Sequence, residues 1–331
     1  MFFHFFQHLS IKDNLFQFFK YISLFGQTGV SLFFVLSGFL ITRILLSNKN
    51  SEKYFSHFYI RRALRIFPLY YLYLLFFYLL LPPLFNLPFT PFSAQFYYWI
   101  YIQNISLTFN LNGSGPEHFW SLAVEEHFYL FWPIIIYCFN NKNILRSIGL
   151  LIIIAFGVRI LLTYMHFNSF YFTFSRMDEL SLGALMALME LKNMFKTSNN
   201  RVYLISLLLA IFPTLYLWLA FGGFSYSYIQ VIKISLISIV YFLFLGYIIS
   251  KNDRSGFKKI LLSPFMSYTG KISFGLYVYH PTCFLIIIYK LSSGNYLLDF
   301  LISFASAYLI ASISYFFFES KILKLKEKFS N

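Results

Sequence analysis

Apolar runs of about twenty residues recur along the chain, each closed by a short polar break. A helix rises 1.5 Å per residue, so a run of that length crosses a hydrocarbon core of roughly 30 Å. Runs at 28–47, 67–85, 119–139, 145–165, 176–192, 202–221, 228–249, 266–290 and 297–318 predict nine spans. Residues 1–9 read as the last two turns of a tenth helix whose beginning is missing. The expected fold is all-α: a polytopic transmembrane bundle of about ten spans with the first truncated. No internal repeat, soluble insert or low-complexity linker interrupts it, so residues 1–331 are expected to form one domain.

Composition agrees with the pattern. Hydrophobic residues fill 59% of positions and charged ones 11%, against roughly 25% charged in a soluble domain. The formal charge of +14 does not indicate a nucleic-acid partner, because the basic residues sit in the breaks, where anionic membrane lipid is the expected neighbour. Of 26 Lys and Arg, 19 fall in the stretches 43–65, 140–146, 192–201, 251–259 and the tail from Lys321. Cytoplasmic loops retain basic residues, so those breaks are placed inside and the stretch 83–118 outside. Lys12, Lys20 and Lys290 run against the pattern. The outer stretch carries Pro82, Pro83, Pro88 and Pro91 and the aromatic run Phe96 to Trp99. These predict a helix lying on the membrane surface or dipping into it, or a lining for an acceptor. Cys138 and Cys283 both lie in apolar runs and read as small buried hydrophobes, not as a disulfide or a metal site.

Ionisable groups inside such runs are costly and face a cavity or a partner. The run 119–139 holds Glu125 and Glu126, which lie about 100° apart on a helix and so need different environments. One is expected to accept hydrogen bonds and the other to pair with an arginine; the alternative is an ion-pair network holding helices together. Arg176 and Asp178 open the run 176–192 on nearly opposite faces, so each is expected to bond to a neighbouring helix, with Glu125 or Glu126 the natural partner of Arg176. Glu179 reads equally well as an ordinary charged helix start. His280 precedes Pro281, which predicts a mid-membrane helix break at His280. An intramembrane histidine is either a catalyst or a bond between helices.

On the inner side, the segment 58–68 reads as a short basic amphipathic stretch just before a span. Arg62 and Arg65 share a face, a spacing suited to forked contacts with phosphate oxygens, while Arg61 adds a third charge. Anchoring on anionic lipid explains the same cluster. No glycine-rich phosphate loop, HExxH metal motif or GxSxG elbow competes.

Several of these stretches, in this order, resemble membrane acyltransferase family 3, the group that O-acylates bacterial surface polysaccharides and related carbohydrates. Phe33 to Arg43 (FFVLSGFLITR), Arg61 to Pro68 (RRALRIFP), Trp120 to Tyr129 (WSLAVEEHFY), Arg176-Met177-Asp178 and Tyr277 to Pro281 (YVYHP) carry the resemblance, with Phe317-Phe318-Glu319 similar to the family's close. Family members begin with a full span bearing an arginine near its start and a histidine near its end; Met1 to Phe5 resembles only that end. The resemblance implies a membrane-bound O-acyltransferase of the bacterial inner (cytoplasmic) membrane. Cytosolic acetyl-CoA or another acyl-CoA would be the donor, with no metal, and a hydroxyl of an outer carbohydrate such as a surface polysaccharide or lipopolysaccharide would be the acceptor. It implies His4 as the base, His280 as a second candidate, and Arg61, Arg62 and Arg65 as holders of the donor's nucleotide end. Glu125, Glu126, Arg176 and Asp178 would shape the passage between donor and acceptor. A lipid-linked saccharide flippase would share the intramembrane charge without needing a donor; a membrane scaffold would not need the polar motifs.

Overall fold

The computed structural model describes residues 1–7, 9, 13–222, 228–251 and 255–325. Lys12, Arg254, Lys326 and Lys328 of the basic pattern lie outside the described residues. Regular structure among the described residues is helical throughout. The helices are α1 (Phe2–Gln7), α2 (Asn14–Ser23), α3 (Gly29–Ser47), α4 (Tyr54–Leu75), α5 (Leu81–Phe85), α6 (Phe92–Trp99), α7 (Gln103–Thr108) and α8 (Trp120–Cys138), followed by α9 (Asn141–Tyr164), α10 (Met177–Leu191), α11 (Asn200–Phe221), α12 (Tyr228–Ser250), α13 (Gly256–Leu261), α14 (Pro264–Lys290), α15 (Tyr296–Ser314) and α16 (Ser320–Leu325).

Seven helical stretches are long and apolar enough to cross a membrane, and they cover seven of the nine expected runs. The other two are α8 and α10, the helices that carry the carboxylates. At 15 residues α10 is about 22 Å long, short of a roughly 30 Å core. The protein is a multi-pass helical bundle. Its surface shows why: on α11, Val202, Ile205, Leu209, Phe212 and Tyr216 are all exposed, and only Tyr203, Leu207 and Trp218 are buried. A helix apolar all round with so little of it covered by protein needs lipid for the rest.

Four features differ from the sequence expectation. The helix before 28–47 begins at Asn14, where the Asp13 carboxylate accepts the amides of Leu15 and Phe16 at 2.8 and 3.1 Å. This supplies two of the acceptors that a helix start lacks. The basic segment is not a separate element, because α4 runs unbroken from Tyr54 through Arg61, Arg62, Arg65 and Pro68. The break expected at His280 is absent, and α14 passes through Pro281 as one helix. Proline inside a membrane helix is tolerated where neighbouring groups compensate the lost backbone bond. Irregular turns occur instead at Phe76–Leu80 and Tyr315–Glu319, each a single π turn. The outer stretch is built of the short helices α5, α6 and α7.

Contacts sort the chain into two compact units. Unit one is Met1–Gln27, Ser56–Tyr73 and Gly256–Asn331; unit two is Thr28–Phe55 and Leu74–Ser255. The core of unit one gathers Phe5, Phe6, Ile272, Leu276, Phe284, Ala307 and Ala311. Unit two centres on α10, which packs against α3, α9 and α12. Two glycines permit the closest approach: a Cβ on Gly38 would strike the Leu180 carbonyl, and one on Gly183 the Val35 carbonyl. Small residues at helix crossings are the usual means of close packing in lipid.

Candidate functional site

The residues singled out from the sequence divide between the units. His4, His280, Arg61, Arg62 and Arg65 lie in unit one; Glu125, Glu126, Arg176 and Asp178 lie in unit two.

In unit one, the short α1 is held by its aromatic side chains. Phe5 packs edge-on against Phe284 and Phe300 with centroids at 5.9 and 5.2 Å, and Phe2 against Phe300 at 5.8 Å. Gly26 lets the chain pass tightly, since a Cβ there would sit 2.8 Å from that of Phe3. His4 is half-buried and its Nδ1 lies 2.7 Å from Nε2 of the buried His280. Ring centroids are 4.9 Å apart with planes 12° from parallel. The centroid separation exceeds the N···N distance by 2.2 Å, about twice the centre-to-vertex length of a five-membered ring. The imidazoles therefore lie end to end and nearly coplanar, the geometry of a nitrogen lone pair receiving an N–H, and not face to face. Nδ1 of His280 is 2.8 Å from the Leu276 carbonyl oxygen one turn earlier.

Arg61 and Arg62 are half-buried and Arg65 is exposed, all in the N-terminal half of α4. The charge of Arg65 acts on Glu319, whose carboxylate accepts from Ser314 at 2.9 Å. Further along the same helix, Tyr73 bonds to Thr282 at 2.5 Å.

Unit two holds a different arrangement. Asp178 takes a forked contact from Arg159 on α9, at 2.9 and 2.7 Å, and Arg159 also donates to the Ser175 carbonyl at 2.8 Å and to Ser235 at 2.7 Å. Asp178 thus bonds to a neighbouring helix, as its position on α10 implied. Arg176 does not pair with Glu125 or Glu126. Its ion partner is Glu179, at 2.9 Å and one turn on, with both side chains fully buried. The three-residue spacing brings the charges together without reaching to another helix. Aromatic rings enclose the guanidinium, with centroids of Phe170, Phe34 and Trp120 at 4.8, 5.5 and 5.7 Å. Glu179 is therefore a buried counter-ion rather than an ordinary charged helix start, and it accepts from Ser238 of α12 at 3.2 Å. Glu125 and Glu126 do differ in environment: Glu125 is buried and accepts from Tyr129 at 2.9 Å, with the Tyr129 hydroxyl bonded in turn to Ser37, whereas Glu126 is half-buried.

Sequence reasoning missed two buried cations inside apolar runs. Arg159 is fully buried, and Lys233 donates to the Gly222 carbonyl at 2.5 Å at the end of α11. A lone basic residue in an apolar run was the available signal for both. In unit two, Asn110, Thr163, His166, Phe167 and Ser169 line a cavity of about 250 Å³. None of the residues predicted for the site belongs to it; those of unit two are packed into protein. On α6, which is not one of the membrane-length helices, burial raises the Tyr98 phenol above its usual range, with the Glu117 carboxylate adding to the effect. That tyrosine stays neutral at any physiological pH.

A family model described as an acyltransferase domain matches residues 1–316. The chain belongs to that family. Among curated proteins, it is 27% identical to an O-acetyltransferase OatA of Staphylococcus aureus (strain NCTC 8325), over 90% of this chain and 53% of the relative. It is 36% identical to the peptidoglycan O-acetyltransferase OatA of Listeria monocytogenes, over 41% of this chain and 25% of the relative. The putative peptidoglycan O-acetyltransferase YrhL of Bacillus subtilis is 30% identical, over 54% of this chain and 31% of that protein. The chain spans about half the length of the Staphylococcus relative. No solved structure matches. Membership of the acyltransferase family agrees with the resemblance carried by the motifs.

Proposed function

We propose that this acyltransferase moves an acetyl group from acetyl-CoA to a carbohydrate hydroxyl on the outer side of the bacterial cytoplasmic membrane. Two of the relatives carry peptidoglycan in their names, which favours a peptidoglycan glycan strand over lipopolysaccharide as acceptor. The observation that carries the reading is the contact between His4 and His280, an imidazole pair on a family-typical motif at the packed end of α1.

The hydroxyl oxygen attacks the thioester carbonyl, the C–S bond breaks, and the hydroxyl proton passes to His4, which returns it to the departing thiolate. Such proton transfer contributes about 10²–10⁴-fold to rate. Arg61, Arg62 and Arg65 would grip the donor's phosphates, as guanidinium forks do. The buried pairs of unit two would hold that unit's helices together rather than exchange protons.

Proteoliposomes given radiolabelled acetyl-CoA and glycan strands test this. Label is expected in the glycan with the unaltered protein, and none with His4→Ala at equal abundance. Glycan moved across the bilayer without label would replace the reading with transport. Full activity in His4→Ala would remove that residue from the chemistry.

A further inference from the structure

Two helices of unit two, α7 and α9, end in the same way and on the same cavity. The amide of Leu111 reaches back to the Ser106 carbonyl at 2.9 Å, and that of Phe167 to the Leu162 carbonyl at 2.8 Å. The residue before each, Asn110 at φ 53° and His166 at φ 59°, lies in the left-handed region. Glycine is the usual occupant of that position, because it has no Cβ to strain. Here both positions carry polar side chains instead, and both line the cavity of about 250 Å³ together with Thr163, Phe167 and Ser169. The two turns are fastened to each other, since the Asn168 amide donates to the Thr108 carbonyl at 3.3 Å. Phe167 is set by the ring of Phe109, edge-on at 5.0 Å, which packs in turn on Phe172 at 5.7 Å.

Four polar side chains meet in this cavity, and among the described residues no protein group hydrogen-bonds to any of them. Ser169 is only 4% exposed. Buried polar groups are hydrogen-bonded as a rule, so its hydroxyl calls for a partner delivered through the cavity. Asn, Thr, Ser and neutral His each both donate and accept, as every sugar hydroxyl does. No Lys, Arg, Asp or Glu lines the cavity, and both helices present C-terminal ends, whose partial charge is negative. A phosphate finds no counter-charge there. The half-buried Phe167 adds an aromatic face of the kind that takes the C–H face of a pyranose. We propose that the cavity is a carbohydrate subsite that holds one neutral sugar ring of the acceptor glycan, hydrogen-bonded to Asn110, Thr163, His166 and Ser169 and laid against Phe167. Its volume is below the roughly 300–1,000 Å³ of sites that enclose a drug-sized ligand, so the rest of the strand stays outside, past the exposed Asn110 and His166. Asn110 belongs to the stretch 83–118 expected on the outer side, and the 24 residues of α9 separate His166 from the basic stretch 140–146 expected inside. That the ring is part of the acceptor rests on the acyl-transfer reading; the sugar-binding chemistry of the cavity does not.

Saturation-transfer NMR titrations of the full chain in nanodiscs with chitotetraose, a soluble β-1,4-linked tetramer of N-acetylglucosamine, test the subsite directly. Asn110→Gly combined with His166→Gly removes two side chains while giving both left-handed positions the residue that the backbone favours, so the melting temperature should hold. Chitotetraose binding is expected to weaken about tenfold, the loss of two ordinary hydrogen bonds. Thr163→Val keeps the volume and removes one hydroxyl, and should weaken binding about threefold. In transfer assays on glycan strands the double variant should raise KM for the glycan about tenfold, with kcat within about twofold and KM for acetyl-CoA unchanged, the pattern of lost uniform binding. Chitotetraose binding that is absent in the unaltered protein, or undiminished in the variants, overturns the proposal. So does a preference of the unaltered protein for glycerol phosphate, a lipid headgroup, over the sugar. If the double variant melts early, binding by Thr163→Val decides. Acetyl transfer with sugar binding indifferent to the cavity would sink the subsite and leave the functional reading standing, whereas cavity-dependent sugar binding without transfer would do the reverse.

Discussion

The two units handle buried polar groups in opposite ways. In unit two, two fully buried arginines each meet a carboxylate, Arg159 of α9 with Asp178 and Arg176 with Glu179, so two positive and two negative charges balance at the start of α10. In unit one, the half-buried His4 and the buried His280 form a pair of imidazoles, groups that can each gain or lose a proton. Closed charge pairs of the first kind hold helices; a titratable pair of the second kind can carry a proton. A motif that combines charge with an apolar run does not by itself tell these apart, and the partner of each group does.

The comparison breaks most sharply at Asp178. Substituting it with Asn or Leu strands the Arg159 guanidinium, and removing one member of a buried pair costs about 3–5 kcal/mol. Asp178→Leu is expected to lose most of its abundance and to melt early in detergent, whereas Arg159→Leu with Asp178→Leu together should recover much of the loss. If Asp178→Leu folds normally and only transfer falls, the group belongs with the chemistry and the division between the units is wrong.

How much of this could be read in the sequence follows from which interactions are local. Apolar length alone located the spans, because a bilayer imposes it residue by residue, and seven of the nine runs became membrane-length helices. The motif residues were likewise legible as polar groups needing a reason. Their partners were not. Arg176 was expected to reach Glu125 or Glu126, but Glu179 lies one turn away at three-residue spacing, a pairing that the sequence already permitted and that needed no other helix. Arg159 escaped notice because a single arginine at the far end of a long apolar run looks like an interfacial residue until α10 is seen beside it. The proline after His280 suggested a break, yet the helix continues, since surrounding contacts and not the proline alone decide whether a helix interior yields. The end-to-end imidazoles join residues 276 positions apart, a pairing visible only in the folded chain.

A smaller effect is expected at Tyr129, which links Glu125 to Ser37 and so ties α8 to α3. Tyr129→Phe leaves a buried carboxylate short of a donor, at a cost of about 1–3 kcal/mol. A lower melting temperature with kcat/KM retained per folded molecule would place Glu125 among the groups that hold helices. An unchanged melting temperature with kcat reduced would move it towards the chemistry, and the contrast between the units would then lie in individual side chains.

The smallest effect on stability is expected at the start of α4. Arg62 and Arg65 share a face, and Arg65 is also the positive charge acting on Glu319. Arg62→Gln keeps a polar side chain at this half-buried position and is expected to shift stability by no more than about 1 kcal/mol, the ordinary size for a single substitution. If the face holds the donor's phosphates, acyl-CoA binding to the purified protein should weaken about tenfold, or ~1.4 kcal/mol, and the loss should shrink as salt is raised, because screening has already weakened the contact. Arg65→Gln should weaken binding to a similar degree while also lowering the melting temperature slightly, since Glu319 loses a nearby charge. Binding unchanged in both variants, with insertion and abundance intact, would assign the arginines to anionic lipid and leave unit one with the histidine pair as its site.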